Sequence, residues 1–133
     1  MRIVSNRTHR AGASLRSHRV WIAGGRGFIA SRLRLLLGPP GLGDSPGYGA
    51  EIHHREGDIG DPDTVRSSIT AARPDFLINL AAPVDVRRDP ALAPRMERII
   101  LGGLRNVLAA MTRLRGNPRL LHCGTCEEYG AID

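Results

Sequence analysis

The sequence predicts an α/β domain built on a doubly wound parallel sheet, and three observations carry that reading. Short apolar runs of strand length alternate with segments whose apolar residues recur at helical spacing, and parallel strands need long crossovers of that kind. A glycine-rich turn stands between the first such run and the first helical segment. The run at residues 76–81 is apolar almost throughout, as a strand must be when helices cover both faces of its sheet.

Taken in order, Val20-Trp21-Ile22-Ala23 is β-branched and aromatic and is closed by Gly24-Gly25, so it reads as a short buried strand, with structure starting near Arg19. Ile29, Leu33, Leu36 and Leu37 then recur at helical spacing. Gly38-Pro39-Pro40 ends that helix, since proline has no amide to donate and clashes inside a helix. Residues 39–49 are mostly Gly and Pro and read as loop. Residues 51–56 allow a short strand, after which Asp61-Pro62 supplies an N-cap and a first-turn proline for a helix carrying Val65, Ile69 and Ala72. Pro74 stops it, and the central strand at 76–81 follows. Over residues 94–114, Met96, Ile99, Ile100, Leu104, Val107, Leu108, Met111 and Leu114 mark one face of a long amphipathic helix. Gly116-Asn117-Pro118 closes it, and Leu120-Leu121-His122-Cys123 forms a last strand.

At 133 residues there is room for one domain with a modest core. Residues 1–18 are expected to be a basic, disordered tail and residues 19–133 a partial α/β domain. All 19 basic residues are Arg, and the first 43 residues hold eight of them with no acid, so the net charge of +6 is concentrated in the N-terminal third. That start resembles a nucleic-acid arm or presequence in composition, but only five aromatic residues exist to stack bases, which disfavours single-strand recognition. No apolar run approaches the roughly 20 residues of a membrane span, and none supplies a secretory core, so no membrane association is expected and the cytoplasm is the default location.

Gly24-Gly25-Arg26-Gly27-Phe28-Ile29-Ala30 lies directly after the first strand and opens the first helix. Gly24 permits the tight turn, Gly27 lets the main chain approach a pyrophosphate, and Ala30 is the small residue where helix meets sheet. The first free amides and the positive end of the helix dipole favour an anion there. Continued to Ser31, this stretch resembles the G-G-x-G-F-I-G-S turn of the extended short-chain dehydrogenase/reductase family, the NAD-dependent nucleotide-sugar epimerases and dehydratases. Three further stretches match in the same order. Glu56-Gly57-Asp58-Ile59 resembles the G-D-I/L segment after the family's third strand, Leu77-Ile78-Asn79-Leu80-Ala81-Ala82 its V-I-H-L-A-A strand, and Cys123-Gly124-Thr125-Cys126-Glu127-Glu128-Tyr129-Gly130 its S-S/T-x-E-x-Y-G stretch.

The resemblance implies a Rossmann fold binding NAD or NADP, with Gly24, Gly27, Phe28, Ile29, Asp58, Ile59, Leu80, Ala81 and Ala82 at the cofactor. Asp58 would reach the adenine. It places Thr125 where the family binds the substrate hydroxyl or carbonyl, and Glu127 where the dehydratase branch keeps an acid/base; no metal is implied. It also implies a nucleotide-sugar substrate and pairing into a homodimer through the 94–114 helix.

Three departures qualify what is implied. The family's Tyr-x-x-x-Lys pair falls beyond Tyr129, past Asp133, and the 133 residues contain no Lys, so the isolated chain is expected not to be catalytically competent. The second strand is replaced by the Gly/Pro stretch, which should leave a hole between the first and third strands of the usual 3-2-1-4-5 order; Asp44 is the one candidate for that strand's ribose-binding acid. Ile99 stands where the family usually has Asn. Two readings remain beside the enzyme: a non-catalytic NAD(P)-binding or structural Rossmann protein, and a thiol redox protein using Cys123-Gly124-Thr125-Cys126.

Overall fold

The computed structural model describes residues 15–41, 47–54, 57–83 and 89–124. Strand β1 (Arg19–Ala23) leads through a glycine turn into α1 (Phe28–Leu37), followed by β2 (Glu51–His54), α2 (Pro62–Ala72) and β3 (Phe76–Asn79). A 3-10 turn (Pro90–Leu92) then enters α3 (Ala93–Glu97), a π-helical turn (Arg98–Gly102), α4 (Gly103–Met111) and β4 (Arg119–His122). The four strands form one all-parallel sheet in the order β2-β1-β3-β4.

Strand periodicity decides which residues meet which helix, because successive side chains point to opposite faces. Trp21, Ala23 and Leu77 face α2 and α4, joining Ile59, Val65, Ile69, Ala72, Val107 and Ala110 in one core. Val20, Ile22 and Ile78 face the other way, onto Ala30 with Leu33 and Leu37 of α1. Parallel crossovers are right-handed, so stepping from β1 outward to β2 puts α1 on one face, and stepping back past β1 to β3 puts α2 on the other. The sheet is therefore doubly wound, with its change of direction between β1 and β3.

The expected hole beside β1 does not exist. β2 pairs directly with β1 in parallel, Val20 opposite Ile52 and Ile22 opposite His54. The return from α1 makes this close: amides of Tyr48, Ala50 and Gly49 donate to the carbonyls of Leu36, Leu37 and Gly38 at 3.0, 2.8 and 2.8 Å. Those carbonyls belong to the helix end, which otherwise lacks partners. Residues 48–50 thus cap α1 and lead straight into β2 at the β1 edge, and a sheet one strand narrower leaves no unpaired ladder inside it. Ahead of β1, Leu15 already packs against the α1-side core, and its amide donates to the Tyr48 carbonyl at 2.8 Å.

The helix expected over 94–114 is interrupted. Its π turn at Arg98–Gly102 shifts the buried face of the following segment onto Gly103, Val107 and Ala110. Leu101 and Leu108, 51% and 46% exposed, are left on the outside with half-buried Leu104. On α1, Ile29 and Leu36 are likewise exposed, and Ala30 carries the burial. The strand expected to run to Ala81 stops at Asn79, which leaves Leu80, Ala81 and Ala82 beyond the sheet. No helix among the described residues is long and apolar enough to cross a membrane.

Candidate functional site

The C-terminal ends of β1 and β3 sit side by side, with Ala23 opposite Asn79, and the crevice above such a reversal is where doubly wound sheets bind ligands. Gly24 makes the two strand ends meet. Its φ is +74°, and a Cβ built on it would stand 2.9 Å from the Leu80 carbonyl oxygen and 3.0 Å from the Ala81 nitrogen. Any side chain would have to occupy main chain that cannot rotate away. The turn is tied by the Gly27 amide donating to the Gly24 carbonyl at 2.9 Å, and α1 then begins at Phe28.

That helix start is electrostatically open. No side chain caps it, and its first turn contains no acid. The first amides of a helix have no carbonyl within the helix to bond, and they carry the positive end of its dipole. The turn, Phe28, Ile29, His54, Leu80, Ala81 and Ala82 line a cavity of about 420 Å³. A second cavity of about 290 Å³ adjoins it, sharing Gly24, Gly57, Ala81 and Ala82 and extending over Trp21, Asp58, Ile59, Thr64, Ser68 and Ile99. All nine residues expected to touch a cofactor are thereby gathered around one cleft: Gly24, Gly27, Phe28, Ile29, Asp58, Ile59, Leu80, Ala81 and Ala82. A glycine cradle closed against a neighbouring strand, uncapped amides and an adjoining half-apolar recess fit a diphosphate joined to a flat base.

Two polar arrangements hold the walls. Asn79, buried at the end of β3, accepts from the Ala81 amide at 3.1 Å through its Oδ1 and meets His122 Nδ1 of β4 at 3.2 Å through its Nδ2. It thereby fixes the irregular Leu80-Ala81 step where the family pattern carries His. Asp58 accepts from the Gly60 amide at 2.8 Å and pairs with Arg98. The Arg98 hydrogen bond, then the Gly60 amide, hold its carboxyl below the usual range.

Trp21 Nε1 donates to Ser68 Oγ at 2.9 Å beneath the recess, and Asn106 Nδ2 donates to the Ile59 carbonyl at 3.0 Å. Arg98, Ser68, Asn106 and His54 escaped the sequence reading, because each makes a contact 29 or more residues distant in the chain that no local pattern records. For Asn106, an amide on a helix three residues from the buried Gly103 was the only hint. Thr125, Glu127, Cys126 and Asp44 lie outside the described residues; Cys123 is free and exposed just after β4.

A doubly wound parallel sheet with a glycine cradle at its reversal defines the class: a Rossmann-type nucleotide-binding domain. The family model for the NAD dependent epimerase/dehydratase family matches residues 20–133, and the chain belongs to that family. No curated protein matches the sequence significantly.

Among solved structures, UDP-glucose-4-epimerase from Stenotrophomonas maltophila, with bound NAD and formylated UDP-arabinopyranose, superposes with a TM-score of 0.66 at 19% identity. The match covers 87% of this chain and 39% of that one. RMD from Pseudomonas aeruginosa, complexed with NADPH, gives 0.65 at 21% identity over 88% and 38% of the two chains. The Bordetella bronchiseptica enzyme WbmH, in complex with NAD+, gives 0.62 at 23% identity over 87% and 41%. The chain therefore spans well under half the length of these structures, and at these identities they establish the fold.

Proposed function

We propose that these residues form the NAD(P)-binding portion of a cytoplasmic nucleotide-sugar epimerase- or dehydratase-like protein. The observation that carries this reading is the cleft between β1 and β3, where an uncapped helix start faces an open cavity and Gly24 leaves no room for a side chain. Gly24 and Gly27 with the first amides of α1 would hold the diphosphate, and the recess under Trp21, Asp58, Ile59 and Ser68 the adenine. A nicotinamide dinucleotide bound there supplies a hydride acceptor and donor. The residues around it bind and orient: Asn79 sets the Leu80-Ala81 wall, and Trp21 closes the recess from below.

Thr125 and Glu127 are proposed to meet the substrate, Thr125 donating to a sugar oxygen and Glu127 holding or moving a proton. Leu101, Leu104 and Leu108 form an apolar stripe on the outer side of the α4 region, which supports a homodimer through that helix.

The second reading is a dinucleotide binder without turnover. It is favoured by one observation: none of the 133 residues is Lys, so these residues alone cannot assemble the Tyr-Lys pair that the family resemblance calls for. Titration with NAD and NADP, followed by Trp21 emission and calorimetry, tests the common element of both readings. Trp21 is the single Trp and lines the recess, so saturable quenching is expected. A folded protein giving neither quenching nor heat up to millimolar dinucleotide would refute both. Turnover of a UDP- or dTDP-sugar by the isolated chain would remove the non-catalytic reading.

A further inference from the structure

The edge of the sheet opposite the cleft carries a second concave surface. Arg19 begins β1, and at about 3.3 Å per residue it stands about 13 Å from Ala23 and the glycine turn. Around it, the C-terminal ends of α2 and α4 and the chain leading from α4 into β4 surround two cavities of about 630 and 780 Å³. Both are lined by Arg19, Thr70, Arg73 and Arg113, so they form one groove, which Arg115 and Asn117 extend.

Arg66, at the rim, is paired with Asp63 at 2.8 Å. Among the described residues, the side chains of Arg19, Arg73, Arg113 and Arg115 form no ion pair or hydrogen bond. Asp75 is the one acid among the described lining residues, and its Oδ2 accepts from the Arg19 main-chain amide at 2.8 Å. Arg73 keeps its place at φ +44°, in the left-handed region that closes a helix and favours glycine. Helix C-termini attract cations, so part of this charge answers the ends of α2 and α4. Each end carries only about half a negative charge, however, so the two ends and Asp75 offset about two of the four guanidinium charges. The excess faces an open groove. A cavity of this size encloses a small molecule, and its described lining offers no aromatic ring for a base but has an apolar wall at Pro74, Leu114 and Pro118.

We infer that this groove binds a phosphate dianion, free or as the ester of a small organic group, at a second site remote from the dinucleotide cleft. Arg73 and Arg113 stand at the ends of two helices that pack against each other, and a guanidinium fork donates two parallel hydrogen bonds to phosphate oxygens. Arg19, Arg115 and the Thr70 hydroxyl supply further donors. The site is independent of whether the cleft takes a dinucleotide.

NMR of the arginine Nε–Hε groups of the full chain, titrated at mildly alkaline pH with inorganic phosphate and with phenyl phosphate, tests this. Saturable shifts of Arg19, Arg73 and Arg113 with one common Kd are expected. Tighter binding of phenyl phosphate assigns the site to an ester, and no gain over inorganic phosphate assigns it to the free anion. The variant Arg73→Gln/Arg113→Gln should bind at least roughly tenfold more weakly, the size of one charge-assisted hydrogen bond. Arg32→Gln/Arg105→Gln removes the same charge from exposed positions outside the groove and should change the affinity by less than about twofold. Equal weakening by the two variants means a diffuse field and overturns the site. Shifts that do not saturate, or that are confined to the amides of the glycine turn and the start of α1, overturn it too, as does saturation by duplex DNA with neither phosphate competing. The wild-type titration decides the location even if a variant fails to fold.

Discussion

Replacing Gly24 with Ala tests the cleft through a single methyl group. Two costs are expected, and the structure separates them. The first is conformational: φ is +74°, and a non-glycine residue in the left-handed region loses roughly 1–2 kcal/mol. The second is steric: the new Cβ meets the Leu80 carbonyl oxygen at 2.9 Å and the Ala81 nitrogen at 3.0 Å, both main chain, and overpacking of this kind costs about 1–3 kcal/mol. Gly41 isolates the first cost, because its φ is +89° and a Cβ there meets nothing within 4 Å among the described residues. Urea denaturation followed by Trp21 emission should therefore show Gly41→Ala destabilised by about 1–2 kcal/mol and Gly24→Ala by about 2–5 kcal/mol. With Leu80 and Ala81 pushed away, Gly24→Ala should also lose most of its dinucleotide affinity. Equal destabilisation of the two variants would refute the claim that the ends of β1 and β3 are in contact across the turn.

Three further outcomes follow from the polar contacts. Ser68→Ala leaves the Trp21 Nε1–H without its acceptor beneath the recess, and should cost about 1–3 kcal/mol in urea denaturation while shifting Trp21 emission. Asn79→Ala strips the Ala81 amide and His122 of their partner, and is expected to destabilise by about 1–3 kcal/mol and to weaken dinucleotide binding, both readable in one titration series. For Asp58 the folded carboxyl titrates below its unfolded value, so its contribution to stability is present above the unfolded pKa and is lost as pH falls through the folded one. In Arg98→Gln the Asp58 carboxyl should titrate higher than in wild type by carbon-13 NMR, and the stability lost on acidification should shrink; an unchanged titration would mean that Arg98 does not hold it.

The glycine turn was legible from sequence because its requirement is local: a positive φ, a small residue where helix meets sheet, and a strand on one side with a helix on the other. The ends of α2 were equally plain. Asp61 accepts from the Asp63 amide at 3.1 Å, Pro62 occupies the first turn, and both effects are confined to neighbouring residues. The 94–114 segment was legible as helical but not as broken, since a π turn costs one extra residue per turn and leaves the apolar count nearly unchanged.

What the sequence determined by itself was the set of elements, their alternation, and hence a parallel sheet wound on both sides with a phosphate cradle after β1. Those follow from periodicity and from backbone preferences that each residue carries with it. What only the tertiary structure decided was the identity of neighbours. That β2 closes against β1, that His54 lies beside the turn, and that Arg98 reaches Asp58 all depend on which backbone groups found partners when the chain collapsed. A missing strand reads in the sequence as a gap; in three dimensions the unpaired edge of β1 takes the next strand available, because a buried ladder without partners costs more than a narrower sheet.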